Sequence, residues 1–238
     1  MSILDNKYQI FYDKIKHQVP SHQIFTDELH TLVYGTDASF YRLIPKIVIK
    51  VDTAIQVQNI ISLCYAMDLA LTFRAGGTSL SGQALSDSIL VITSRNFNAF
   101  SISKDHSFIS LQPSITGEQA NNILAPYGKK IGPDPASIQS AMIGGIVANN
   151  ASGMCCGISQ NSYKTIKSLK LIMADGTRLD TSNEASKIEF QSKHFQLLEN
   201  IKNLSLTTKN DKELSALIVK KFKIKNTCGY CLNALIVL

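Results

Sequence analysis

The stretch RAGGTSLSGQ, Arg74 to Gln83, follows a short apolar run and reads as a strand ending in a glycine-rich loop. That junction narrows the fold more than any other feature of the chain. Gly76 and Gly77 are free to adopt positive φ and let the backbone approach a ligand closely. Thr78, Ser79 and Ser81 add hydroxyl donors of the kind that phosphate oxygens accept. A diphosphate-bearing ligand is the reading this composition suggests. Two better-known phosphate loops do not fit. Gly77 and Gly82 have the Walker separation, but Gln83 and Ala84 stand where Lys and Ser or Thr are required. The dinucleotide fingerprint fails because Thr78 occupies the place of its second spaced glycine, and no acidic residue marks a ribose contact on a following strand. A glycine-rich turn that binds nothing has the same composition, so the loop alone does not decide.

A second stretch, IGPDPASIQSAMIGGIVANNASGMCCG from Ile131 to Gly157, points the same way. Pro133 and Pro135 stiffen an extended approach. The small-residue run through Gly144, Gly145, Ala148, Asn149, Asn150, Ala151, Ser152 and Gly153 exposes backbone amides with little side-chain bulk, as a surface lying flat against a ligand requires. An apolar start at Met142 and Ile143 predicts a short helix whose N-terminal amides face an anion, a placement worth about 0.3–1 kcal/mol when exposed.

Together these stretches resemble the flavin-binding half of the vanillyl-alcohol-oxidase and cresol-methylhydroxylase (PCMH) type oxidoreductases. The likeness is to the D-lactate, glycolate and D-2-hydroxyglutarate dehydrogenase branch. TDASFYRLIPKIVIKV (Thr36 to Val51), RAGGTSLSGQ, IGPDPAS, IGGIVANNASGMCCG, NSYKT (Asn161 to Thr165) and KNTCGY (Lys225 to Tyr230) match that branch in order. NNASGMCCG is most similar to the large members that carry an iron–sulfur domain after the flavin module. The resemblance implies an FAD site. Arg74, Ala75, Gly76, Gly77, Thr78, Ser79, Gly82 and Gln83 would wrap the pyrophosphate. Pro133, Asp134, Pro135 and Ser137, with Gly144, Gly145, Ala148, Asn149, Asn150, Ser152 and Gly153, would line phosphates, ribose and isoalloxazine. Relatives with covalent flavin often use a histidine in the first loop; Thr78 after the two glycines implies non-covalent FAD.

The resemblance also implies oxidation of a small D-2-hydroxy acid, with hydride passing to the flavin while a base takes the hydroxyl proton and cations hold the carboxylate. Those groups belong mostly to a cap domain and to sequence after the flavin module, so no catalytic residue is named in this chain. Ending at Leu238, it reads as a truncated flavin module that lacks cap and iron–sulfur domains. A cap-bearing or iron–sulfur polypeptide is the implied partner. The alternative is a non-catalytic remnant or split-enzyme subunit that binds FAD weakly or not at all.

Apolar residues make up 45% of the chain and charged ones 18%, a globular composition. The net charge of +6 is carried by dispersed lysines without tryptophan, so nothing recommends nucleic acid; a basic surface mildly favours anionic ligands. MSILDNKYQIFYDK lacks the apolar core of a secretory signal, and no run of about 18 apolar residues suggests a spanning helix. Five cysteines, an odd count, without a signal predict reduced thiols in the cytoplasm, with attachment to the inner membrane only through partners.

The periodicities predict an α+β fold of two subdomains, and the resemblance implies that these are the two α/β subdomains of a PCMH-type FAD-binding module: a small βαββ unit and a larger sheet with flanking helices. In the small unit, Lys46–Val51, Leu69–Arg74 and Ser88–Thr93 are strands. Thr53 to Gln56 is a capping box opening a helix with Val57, Ile60, Ile61 and Cys64 on one face. In the larger unit, Ser107–Gln112 is a strand, Thr116 to Gln119 opens a helix that stops near Gly128, and Ser168–Asp180 is a hairpin turning at Asp175-Gly176. Thr181–Ser192 is a polar stretch before two helices, the second capped at Asn210–Glu213 with Leu214, Leu217, Ile218 and Phe222 on one side. Residues 1–41 are expected as an N-terminal helical arm, with partial disorder as the alternative, and 42–238 as the FAD-binding domain, incomplete at its C-terminus.

Cys228 and Cys231 have thioredoxin-motif spacing but lie at a chain end rather than opening a helix after a strand. A metal site joining them to Cys155 and Cys156 is disfavoured because adjacent cysteines point apart, so no metal is expected; Cys155 and Cys156 read as packing thiols near the flavin pocket. His17, His22, His30, His106 and His194 lie outside every motif.

Overall fold

The computed structural model describes residues 5–224 and 230–237. In chain order these form α1 (Asn6–Ile15), β1 (Ile24–Phe25), α2 (Glu28–Val33), β2 (Ile47–Val51), α3 (Ala54–Ala66), β3 (Leu71–Arg74), β4 (Ile89–Thr93), β5 (Phe100–Ile102), β6 (Ile109–Leu111), α4 (Gly117–Leu124) and α5 (Ile143–Ala148). There follow α6 (Ser162–Thr165), β7 (Lys170–Ile172), β8 (Arg178–Asp180), α7 (Glu184–Lys193), α8 (Phe195–Asn210), α9 (Lys212–Lys221) and α10 (Ala234–Val237). The chain divides into two compact units. The first holds the residues up to Lys129 together with Ser137–Gly145 and Ile172–Thr177; the second holds Lys130–Ala136, Ile146–Leu171 and the residues from Arg178 onward.

The first unit is built on a four-stranded sheet in the order β1-β2-β4-β3. Strands β2, β4 and β3 are parallel, with Ile47 opposite Ile89 and Phe73 opposite Val91, and β1 lies antiparallel on the β2 edge. Ile47, Val48, Ile49, Val51, Ile89, Leu90 and Val91 are wholly buried, which explains why β2 and β4 read as continuous apolar runs: a parallel strand covered on both faces needs no polar side. Alternation sends Ile47, Ile49, Val51, Ile89 and Val91 to one face, against Ile60 and Cys64 of α3 and Phe11 and Ile15 of α1. Val48, Leu90 and Ile92 face the other way, toward Phe25 and Tyr34. Each such side chain contributes about 1.5–3 kcal/mol on full burial.

Both anticipated capping boxes are present: Thr53 and Gln56 start α3, and Thr116 and Gln119 start α4. Gly128 ends the latter region at φ +64. The first 41 residues contain the helices α1 and α2, and they also contribute the edge strand β1, which the helical reading of that segment did not include.

The larger sheet is corrected. Among the described residues, β5 pairs with β6 and β7 with β8 as separate two-stranded ribbons. Each of these strands is three residues long and none has a fully buried residue, so no apolar face exists to hold the ribbons together as one sheet. The Asp175-Gly176 turn is present, with Gly176 at φ +86. The polar stretch after Asp180 contains a helix, α7, capped by Asn183. Helix α9 is capped by Asp211, and Asn210 is the last residue of α8. Of the four apolar residues expected on the α9 face, Ile218 is buried, while Leu214 and Leu217 are exposed.

Candidate functional site

Because β3 and β4 run parallel, the chain must cross from the end of one to the start of the other, and Ala75–Ser88 is that crossover. The glycine-rich loop therefore leaves the carboxyl end of a parallel strand, where open α/β sheets hold their ligands. Gly77 has φ +66 and Gly82 φ +70, in the left-handed region that glycine adopts at little cost. The Gly77 carbonyl accepts from the Ala38 amide at 3.1 Å. Gly76 has a steric reason instead, since a Cβ there would run into the Ser140 carbonyl oxygen.

Arg74 turns back under this loop. Its Nη1 donates to the Thr36 carbonyl at 2.5 Å and its guanidinium lies over the Tyr34 ring, 5.9 Å from the centroid. Asp37 is beside it, accepting from the Ser39 amide at 2.8 Å. Burial pushes the Asp37 carboxyl up, but contacts from Ser39 and the Ala84 amide and the charge of Arg74 hold it below the ordinary value. Ser79 Oγ accepts from the amides of Ser81 at 3.1 Å and Gln83 at 3.3 Å, and Gln83 Oε1 lies 3.3 Å from the same hydroxyl. These side chains shape the loop from within. Among the described residues, by contrast, the amides of Gly76, Gly77, Thr78, Ser79 and Leu80 have no protein acceptor. Arg74 to Gln83 also contains no acidic side chain. Consecutive unpaired amides without a competing carboxylate fit the diphosphate of FAD.

The first unit brings Ser137, Gly144 and Gly145 into the same neighbourhood. The Ser137 carbonyl accepts from the amides of Ser140 and Ala141 at 2.8 and 2.7 Å, forming the turn that meets Gly76. A Cβ at Gly145 would stand 3.4 Å from Ala75 Cβ, and one at Gly144 would stand 2.9 Å from Pro113 Cβ. The short helix expected after Met142 is α5, but its first two amides do not await an anion. Ile143 donates to the Ile115 carbonyl at 2.8 Å and Gly144 to that of Pro113 at 2.9 Å, because the preceding strand region runs alongside.

In the second unit, Pro133 to Pro135 lies alongside Ser152 and Gly153. The Asp134 amide donates to the Ser152 carbonyl at 2.9 Å. Asp134 Oδ2 accepts from the Cys155 amide at 2.9 Å and Oδ1 from the Cys156 amide at 3.2 Å. Desolvation raises the pKa of this carboxyl, but these amides, with the charge of Lys130, bring it net below the ordinary carboxylate value. Gly153 is required by contact, since a Cβ would collide with Asp134. Asn150, at φ +45, accepts from the Tyr163 amide through Oδ1 at 2.8 Å and reaches Cys231 Sγ through Nδ2 at 2.8 Å. Ala148 and Asn149 are exposed at the end of α5.

Ser162, in the NSYKT motif, is 2% exposed and bonds through Oγ to the carbonyls of Ile146 at 3.2 Å and Ala151 at 3.1 Å. Cys155 is exposed and Cys156 buried, the divergence expected of neighbours. Cys228, one half of the CxxC pair, lies outside the described residues. The roles of Tyr34, Thr36, Ser140 and Ser162 were not assigned from sequence; the TDAS and NSYKT motifs contain two of them, but a hydrogen bond to a distant carbonyl leaves no local pattern.

This architecture, a glycine loop on a small parallel α/β unit followed by a small-residue segment, defines a flavin-binding module. The chain belongs to the FAD binding domain family, whose profile matches residues 45–182, and FAD is the cofactor that membership assigns. It is 25% identical over 219 residues to D-2-hydroxyglutarate dehydrogenase of Haemophilus influenzae, covering 90% of this chain and 20% of that protein. It is 26% identical over 174 residues to glycolate oxidase subunit GlcD of Escherichia coli, covering 72% of this chain and 35% of that one. The chain thus spans a fifth to about a third of the length of these relatives. Among solved structures, alkyldihydroxyacetonephosphate synthase superposes with a TM-score of 0.64 at 17% identity, over 79% of this chain and 39% of that one, a likeness of fold. Among the described residues no helix is long and apolar enough to cross a membrane.

Proposed function

We propose that this chain is the FAD-binding part of a flavin-dependent oxidoreductase acting on a small D-2-hydroxy acid of the D-lactate, glycolate or 2-hydroxyglutarate type, and that it holds FAD without a covalent bond. The observation that carries the reading is the run of five unpartnered amides from Gly76 to Leu80 at the carboxyl end of β3. Those amides are the proposed donors to the diphosphate, with Ala75, Gly82 and the Ser137 and Gly144–Gly145 backbone beside them. Arg74, Ser79 and Gln83 keep the loop in shape, leaving the amides directed to a ligand. In the second unit, Pro133, Pro135, Ala148, Asn149, Ser152 and Gly153 are the proposed further contacts, through backbone rather than side chain.

When bound, FAD supplies a hydride acceptor. The groups that take the hydroxyl proton and hold the carboxylate are proposed to lie in a cap region outside this chain, or on a cap-bearing or iron–sulfur polypeptide that joins it. The extent of these relatives beyond the part that this chain covers supports that division. Thr78, where a histidine would permit attachment, supports non-covalent binding. The proposed compartment is the cytoplasm.

The test is uptake of FAD by the purified chain, followed by flavin absorbance and fluorescence quenching, with release on acid precipitation as the sign of non-covalent binding. The expected result is stoichiometric uptake and complete release. A chain that stays colourless with excess FAD would overturn the reading, and flavin remaining with the precipitate would overturn its non-covalent part.

A further inference from the structure

NSYKT, left without a task by FAD binding, and Cys231, the residue after the last motif, meet in the second unit through Asn150 of the small-residue segment. We propose that Asp134 and Asn150 are positioning residues that set the shape of Val147–Cys156 before any ligand arrives, and are not themselves contacts to FAD; this rests on the flavin reading above. Both Asp134 carboxylate oxygens are committed to the amides of Cys155 and Cys156, and its own amide is committed to Ser152. Both ends of the Asn150 carboxamide are likewise committed, one to the Tyr163 amide and one to Cys231 Sγ. Asn150 also holds φ +45, a conformation asparagine tolerates better than most residues other than glycine. Ser162 closes the arrangement from beneath by tying the Ile146 and Ala151 carbonyls.

The chemistry favours positioning over contact. A carboxylate turned toward the diphosphate of FAD would repel it, whereas one turned onto two amides ends up bound as a charge-assisted acceptor. A segment of small residues has few side-chain contacts to define its path, so its entropy must be removed either before binding or at the expense of affinity. Asp134 supplies that order at the Cys155–Cys156 end of the segment and Asn150 supplies it from within. Gly153 permits it, since only glycine leaves room for the Asp134 carboxylate.

Amide hydrogen exchange on the ligand-free chain, measured beside FAD affinity, tests this. In Asp134→Ala, exchange at Cys155 and Cys156 should rise at least about tenfold, the loss of hydrogen bonds to a charged acceptor, while β2 and β4 keep their protection. FAD affinity should fall by about tenfold. Asp134→Asn, which retains one acceptor oxygen, should restore part of both. Asn150→Ala should raise exchange at Tyr163 with a similar loss of affinity. Unchanged exchange at these amides would overturn the positioning role. Faster exchange with undiminished FAD affinity would also overturn it, leaving the clamp structural. If the wild-type chain takes up no FAD while the exchange changes appear as described, the flavin reading fails and the clamp stands without it.

Discussion

The loop Arg74–Gln83 and the segment Gly144–Cys156 are both poor in side chains, yet their conformations are enforced in opposite ways. The first is defined by glycine: positive φ at Gly77 and Gly82, and backbone contact at Gly76, with the Gly76–Leu80 amides left over. The second, beyond α5, is held by side chains, Asp134 and Ser162 from elsewhere in its unit and Asn150 within it, which bond the Cys155, Cys156 and Tyr163 amides and the Ala151 carbonyl. The difference teaches that a stretch of small residues can be given its path either by glycine conformation and close packing or by side chains that reach its backbone.

Substitution at the first loop should therefore be costly through sterics, and the largest effect is expected at Gly76. Gly76→Val places a branched side chain on the Ser140 carbonyl, and overpacking of this kind costs about 1–3 kcal/mol. At about 2–4 °C per kcal/mol the melting temperature should drop by several degrees, with FAD uptake lost. A melting temperature equal to wild type would break the account of this loop.

Gly77→Val comes next. The nearest obstacle to its side chain is the movable Arg74 guanidinium, so the cost is mainly left-handed strain, about 1–2 kcal/mol. Circular dichroism should keep its helix and strand signal while FAD titration shows no binding. Retained affinity would mean that the amides are not the donors. Gly145→Ala sharpens the contrast from the mild side, because its Cβ would meet only Ala75 at an ordinary distance. Stability within about 0.5 kcal/mol of wild type by urea unfolding is expected; a loss comparable to Gly76→Val would show that this part of the chain is packed as tightly as the Gly76–Ser140 contact.

The smallest effects concern thiols. Burial pushes the Cys64 thiol up to about 12, whereas Cys155 is exposed. Alkylation near pH 8 should modify Cys155 promptly and leave Cys64 intact until the chain unfolds, as mass spectrometry of the peptides would reveal. An unfolded thiol ionises near about 8.5, so above that pH the unfolded state sheds a proton that folded Cys64 retains. Its contribution to stability is complete below that pH and declines as pH rises toward the folded value. Cys64→Ala should flatten that decline, and an unaltered slope would locate it in other groups.

Local patterns were enough for the elements that local physics controls. Thr53 with Gln56 and Thr116 with Gln119 mark helix starts because the reciprocal hydrogen bonds lie within one turn. The apolar runs of β2 and β4 announce burial on both faces. Asn183 gave α7 a cap, but its exposed, polar face resembled a loop. Edge strand β1 has two residues and exists only because β2 offers it an unpaired edge.

The sequence by itself determined that this chain has a glycine-rich loop after a strand, a second small-residue segment, and family membership through both, since these depend on which residues tolerate positive φ and close approach. Only the tertiary structure decided that β4 lies between β2 and β3, which makes the loop a crossover. It also turned Arg74 away toward Thr36 and tied Asp134 and Asn150 into the backbone. Strand order and side-chain partners across many residues are chosen by the packing of the whole unit, and no short window of sequence contains that competition.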